Sequence, residues 1–328
     1  MLHTRKLLIA AVAGLTIAAT ACSGGGAPKT NASGGSQGGN AGGTRYTIAM
    51  VTHEQPGTTF WDRVRAGAEQ AAKNDNVQLK YSNDPQQANQ ATLVQNAIDS
   101  KADGIAVTLA APDAVGPMLQ KAAQAGIPTV ALNAGLDTYQ KYGALMYFGS
   151  DENLAGEAAG TRLSKEGGKK ALCIVHAEGV SSLEARCAGV KKGFPNTENL
   201  QVNGADLAAA TSTLQAKLAQ DKSITDIVTL DAGVAGAVMQ AKQAAGSQAK
   251  IVTFDLNQDV VKAIQDKTIE FCIDQQPYLQ GYLAVDALWL NLTNGNDIGG
   301  GKAVLTGPSF VDSSNIDKIA GFAANNTR

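Results

Sequence analysis

"YTIAMVTHEQPGTTFWDRVRAGAEQAAKN", residues 46–74, decides the fold. Its first seven residues are almost continuously apolar and rich in β-formers, the pattern of a strand covered on both faces. From Phe60 onward the apolar residues recur at helical spacing, so the segment after the polar loop reads as an amphipathic helix. The alternation continues down the chain, with strand-like runs "VQLKYS", "GIAVTL" and "PTVALN". After a break near "YFGSDEN" (147–153) come "ALCIVH", "LQVNG", "DIVTL", "KIVTFD" and "EFCID". Helical stretches such as "ANQATLVQNAIDS", "ENLAGEAAGTRLSKE" and "AGAVMQAKQAA" separate these runs. The expectation is an α/β fold of two doubly wound parallel-sheet lobes, with four or five strands each. In such sheets a ligand sits beyond the carboxyl ends of the strands. The residues placed there are His53, Glu54, Asn133, His176, Asp231, Asp255 and Asp274–Gln275, all polar.

The 328 residues suffice for two domains with real cores. Net charge is −2, from 27 basic and 29 acidic side chains with no basic block, which argues against a nucleic-acid partner. At the N-terminus "MLHTRK" supplies positive charge, "LLIAAVAGLTIAA" is a short apolar run, and "ATAC" ends in Cys22. Residues 1–21 read as a secretory signal peptide, too short to span a bilayer. A cysteine directly after small residues resembles the lipobox of bacterial lipoproteins, which implies that Cys22 carries the lipid. Residues 22–44 then form a Gly/Ser-rich tether spanning on the order of 25 Å. The expected location is the extracytoplasmic face of a cell membrane, held by the lipid anchor. Export permits disulfides. Leu183, Cys187 and Val190 share one helical face turned to the sheet that carries Cys173, so Cys173 and Cys187 can meet. A bridge and two small buried hydrophobes both satisfy that placement. Cys272 is expected to be a buried thiol.

The motifs of catalysis are absent. His53–Glu54 begins like H-E-x-x-H but continues "QPGTT", without the second histidine and with Pro56 breaking the helix that motif needs. No G-x-S-x-G, G-x-x-x-x-G-K-[ST] or G-x-G-x-x-G follows a strand. "DLNQDVVKAIQD" (255–266) imitates a calcium loop, but Val260 stands where the sharp turn needs glycine. Asp255 fits better as a strand end and Asn257 as a helix cap. No enzyme activity, metal or cofactor is expected.

Taken in order, "FWDRVRAGAEQAA", "DGIAVTLAAPDAV", "YFGSDENLAGEAAG", "LEARCAGVKKGF", "IVTFDLNQDVVKAI" and "DQQPYLQGYLAVDAL" carry a resemblance from about Tyr46 to the end. The chain resembles the type I periplasmic binding proteins of the ribose/galactose/xylose group, which serve simple-sugar ABC importers. The resemblance implies a three-strand hinge between a first lobe, 45–150 plus 276–303, and a second, 151–275 plus 304–328. It implies that Phe60 and Trp61 sandwich a sugar ring, against the alternative of two core residues on a helix. Adjacent helical positions are expected not to face one core together, which leaves at least one ring free for other work. Asn133 is implied as a hydroxyl partner, followed by Ala134 where ribose binders often have arginine. Arg186 is implied to grip hydroxyls with its planar fork, against a surface role. Asp255 is implied to take hydroxyl protons, against helix capping alone, and Gln275 to combine ligand contact with the crossover. Asp231, His53, Glu54 and His176 are candidate contacts whose alternative is a solvated loop. The implied function is capture of a simple sugar or polyol for an ABC permease by a monomer. A receptor for a sugar-like signal, feeding a chemoreceptor or quorum system, is the alternative, and a carbohydrate-modifying enzyme a third reading.

Overall fold

The computed structural model describes residues 44–55 and 58–328. The expected signal peptide and Cys22, and all of the linker but its last residue, therefore lie outside the described residues. Among those that are described, no helix is long and apolar enough to cross a membrane.

The first lobe takes β1 (Thr47–Thr52), β2 (Gln78–Asn83), β3 (Gly104–Val107), β4 (Thr129–Asn133), β5 (Met146–Ser150) and β11 (Val304–Gly307). Their order is β11-β5-β4-β3-β1-β2, with every pairing parallel. The second lobe takes β6 (Ala171–Val175), β7 (Thr197–Gln201), β8 (Asp226–Thr229), β9 (Lys250–Phe254), β10 (Phe271–Asp274) and β12 (Ser309–Asp312). Their order is β12-β10-β9-β8-β6-β7, in which only the edge strand β12 runs antiparallel. Each sheet thus has six strands. The extra ones escape a sequence reading because β5 occupies the apparent break, while β11 and β12 are short, half-exposed edges without an apolar run. The edge strand β7 also begins three residues before "LQVNG", at Thr197.

Helices cover both faces of each sheet, as near-continuous apolar strands require. In the first lobe α1 (Thr59–Asn74) and α9 (Pro277–Asn294) enclose one core, and α2 (Gln87–Asp99) and α3 (Pro112–Gln124) the other. In the second, α4 (Glu152–Lys165) and α5 (Ser181–Gly193) cover one face. The opposite face carries α6 (Leu207–Gln220), α7 (Ala232–Ala244), α8 (Gln258–Gln265) and α10 (Ile316–Ala324).

The chain crosses between lobes after β5, after β10 and between β11 and β12. The third crossing corrects the expected boundary. Val304–Gly307 pairs with β5, so residues 304–307 belong to the first lobe, and the chain changes sheet at Gly307–Ser309.

Cys173 on β6 and Cys187 on α5 form a disulfide, with their Cα atoms 5.8 Å apart. Cys272 is a free, buried thiol. The helix partnered by α5 is α4, and the two backbones nearly touch. A Cβ on Gly156 would collide with the Arg186 carbonyl, and one on Gly189 with the Asn153 carbonyl. Glycine at these positions is what lets the two helices approach.

Candidate functional site

The strand ends of both lobes converge on a small cavity of about 70 Å³. His53, Phe60, Trp61 and Asn133 line it from the first lobe; His176, Arg186, Asp231 and Asp255 line it from the second, with Gln275 at the crossover. Past His53 and His176 it continues into an interlobe groove of about 950 Å³. The smaller space is under half the ~150 Å³ of a dry cavity that admits benzene.

The aromatic wall begins α1. Phe60 and Trp61 are both buried, with ring centroids 5.0 Å apart and near-perpendicular, and His53 meets the Trp61 ring edge-on at 4.9 Å. Neither ring is free of the core, contrary to the expectation from helical spacing. At the first turn of the helix the core ends against the cavity, so both rings contribute to core and cavity alike.

Thr108 fixes the His53 ring. Its Oγ accepts from the His53 amide (3.1 Å) and from Gln90 Nε2 (2.9 Å), which leaves the hydroxyl proton for His53 Nδ1 at 2.8 Å. The imidazole hydrogen then resides on Nε2. Burial, with help from the Arg186 charge, holds the His53 pKa down at about 4, so the ring is neutral. His176 is likewise pushed down, mainly by burial, and its Nδ1 is buried without a partner.

Arg186 is held by geometry that the glycine contacts make possible. Its Nε and a terminal nitrogen donate to both oxygens of Glu152, at 2.5 and 3.1 Å, and Nη1 donates to the Leu230 carbonyl at 3.0 Å. The guanidinium carbon lies 4.7 Å from the Phe254 ring centroid. With five N–H groups and three of these bonds, two hydrogens remain for a guest. Glu152 is the residue that sequence reading missed: it sits in the apparent interlobe break, and only the α4–α5 contact reveals its role.

Asp255 and Asn133 both end strands in the left-handed region, with φ of 64° and 65°. Asn and Asp tolerate that region better than most residues. A relay of amides joins them: Asn133 Nδ2 donates to Gln275 Oε1 (3.5 Å) and Gln275 Nε2 to Asp255 Oδ1 (2.8 Å). Gln280, also missed, accepts from Asn133 at 3.3 Å. Burial pushes the Asp255 pKa up to about 8 against the pull of Arg186, so at neutral pH the protonated acid predominates. Asp231 caps α7, its Oδ1 accepting from the Gly233 amide at 2.7 Å.

Glu54 is not brought to the cavity. Arg65 donates to both its oxygens, at 3.1 and 2.8 Å, and the Tyr81 hydroxyl donates at 2.8 Å, on the opposite side of the strand-end loop from His53. Adjacent residues leaving a strand point to opposite faces, and only one of this pair reaches the site. Among the described residues, no group of three metal-ligating side chains converges.

A family model described as the periplasmic binding protein domain matches residues 48–297. A crystal structure of a carbohydrate transporter from Acidothermus cellulolyticus 11B, in complex with myo-inositol, is 52% identical, with a TM-score of 0.86 and coverage of 87% of this chain and 100% of that one. The xylose/arabinose-binding protein XylF of Sulfolobus acidocaldarius is 27% identical over 241 residues, 68% of this chain and 60% of that protein's length. The ribose import binding protein RbsB of Haemophilus influenzae is 27% identical over 259 residues, 73% of this chain and 82% of its own. Two six-stranded lobes meeting at a cavity between their strand ends, and a family match over most of the chain, lead to one conclusion: the chain belongs to the periplasmic binding protein family, with the type I fold.

Proposed function

We propose that this protein captures a neutral cyclic polyol, with myo-inositol as the leading candidate, and presents it to an ABC permease. The observation that carries the proposal is the charge balance of the cavity. Arg186 is matched by Glu152, Asp255 is mostly protonated, Asp231 is held by the Gly233 amide at the N-terminus of α7, and both histidines are held neutral. No unmatched cation is left to recognise a phosphate or carboxylate, so a charged sugar derivative gains nothing there. A cyclitol offers C–H faces to the Phe60 and Trp61 rings and hydroxyls at its edge to Arg186, Asp255 and Asn133. The 52% identical relative holds myo-inositol, which supports the same choice here.

Contacts come from both lobes, so the guest binds the closed arrangement best and closure reports occupancy. The protein acts by binding, without turnover. The lipoprotein-like leader of residues 1–21, followed directly by Cys22, supports a lipid-anchored, extracytoplasmic position, and a monomer suffices because one chain forms the whole cavity. Titration calorimetry with myo-inositol, D-ribose, D-xylose and L-arabinose tests the reading. One-to-one binding tightest for myo-inositol is expected; tighter binding of one of the other three sugars, or conversion of the ligand, would overturn it.

A further inference from the structure

Away from the cavity wall, a second polar cluster gathers the interlobe crossings. Arg328 Nε donates to Asp274 Oδ2 at 2.6 Å, Nη1 to Gln276 Oε1 at 3.0 Å and Nη2 to Ser309 Oγ at 3.2 Å. One side chain thus holds both neighbours of Gln275 and the first residue of β12, which are the second and third crossings. The main-chain oxygen of Arg328 in turn accepts from Arg63 Nε of the first lobe at 2.6 Å. Arg63 is 3% exposed, and its Nη1 donates at 2.8 Å to the carbonyl of Thr59, the residue before Phe60–Trp61. Asp274 is fully buried, and its other oxygen accepts from the Gln276 amide at 2.8 Å. Gln276 is left-handed, with φ of 55°, and its side chain donates to the Thr306 carbonyl on β11 at 2.6 Å.

We infer that Arg328 is a positioning residue for the ligand site, an inference that rests on the cavity being the polyol site. It pins residues 274–276 so that the Gln275 amide faces Asn133 and Asp255. Through Arg63 it also ties the helix bearing the two rings to the hinge. A buried carboxylate and a left-handed glutamine are costly to hold in place, and the fork of an arginine meets both at once. Lysine, a point charge, can satisfy Asp274 but not Gln276 and Ser309 together.

The test uses the full chain with Arg328→Met and Arg328→Lys, measuring myo-inositol affinity, dissociation rate, thermal midpoint and small-angle scattering of free and loaded protein. Arg328→Met is expected to weaken binding about tenfold, chiefly through faster dissociation, and to expand the free protein. Arg328→Lys is expected to recover part of the affinity. A lower midpoint with unchanged affinity and scattering would reduce Arg328 to a brace and overturn the inference. If Arg328→Met does not fold, Arg63→Met removes the bond that ties α1 to the main-chain oxygen of Arg328 and must also weaken binding. Wild-type protein that binds none of the neutral polyols overturns the functional reading, and this inference with it.

Discussion

The two walls of the cavity are built on different physical terms. The first lobe offers ring faces, held by packing of α1 against its own sheet and α9. The second offers a cation and two acids, held by compensation: Glu152 for Arg186, a proton on Asp255, a helix N-terminus for Asp231. Packing tolerates substitution by degrees, because a smaller side chain loses contact area in proportion. A compensated buried charge fails abruptly, because removing one partner strands the other.

Arg186→Ala is the most severe break of the second wall. It leaves Glu152 buried and unpaired, and a loss of about 3–5 kcal/mol in unfolding free energy is expected, with no detectable binding. The double variant Arg186→Met/Glu152→Met should regain most of that stability in a denaturant titration while still failing to bind. If the single variant proves as stable as wild type, compensation is not what holds this wall. Asp255→Asn removes the acid but fits the left-handed backbone and still accepts from Gln275. Affinity should fall by about 0.5–1.5 kcal/mol in calorimetry, the worth of a hydrogen bond from a neutral acid, with the thermal midpoint nearly unchanged.

The packed wall should yield by smaller steps. Trp61→Leu is expected to cost about 1 kcal/mol of binding as stacking is lost, with a comparable fall in stability. An abolished site would show that the ring does more than stack. Proton linkage sharpens the contrast further. Asp255, at about 8 against an ordinary 3.8, keeps a proton that the unfolded chain releases, so its stabilising contribution is complete below about pH 4 and fades as pH rises toward 8. His53, at about 4 against 6.5, has the opposite sign: its contribution is complete above about pH 6.5 and fades as pH falls toward 4. Urea unfolding of wild type and Asp255→Asn should therefore diverge on the alkaline side, and superimposable curves would refute the buried-acid account. Glu54→Gln, beside the site but outside it, should leave affinity within about twofold.

How much of this was legible in the sequence follows the same division. Strand–helix alternation and polar strand ends are local signals, and they point to the lobes and to residues such as Asn133 and Asp255; Arg186, inside a helix, comes only from the family resemblance. Glu152 and Gln280 matter through partners 34 and 147 residues away, and no local pattern encodes such pairings. Glu54 misleads for a related reason. Sequence places it next to His53, but the turn of the backbone gives one side chain to the cavity and the other to Arg65. The edge strands β11 and β12 are legible only by their neighbours, since half-exposed four-residue strands have little periodicity to read.

The Cys173–Cys187 bond ends one residue from Arg186. Closing a loop of this length restrains the unfolded chain by about 3 kcal/mol. It also staples the middle of α5 to its sheet beside the guanidinium. Protein produced in the bacterial cytosol, where thiols stay reduced, would carry the same binding surface on a less firmly moored helix. Its ligand residence time would then reflect the production host as much as the sequence.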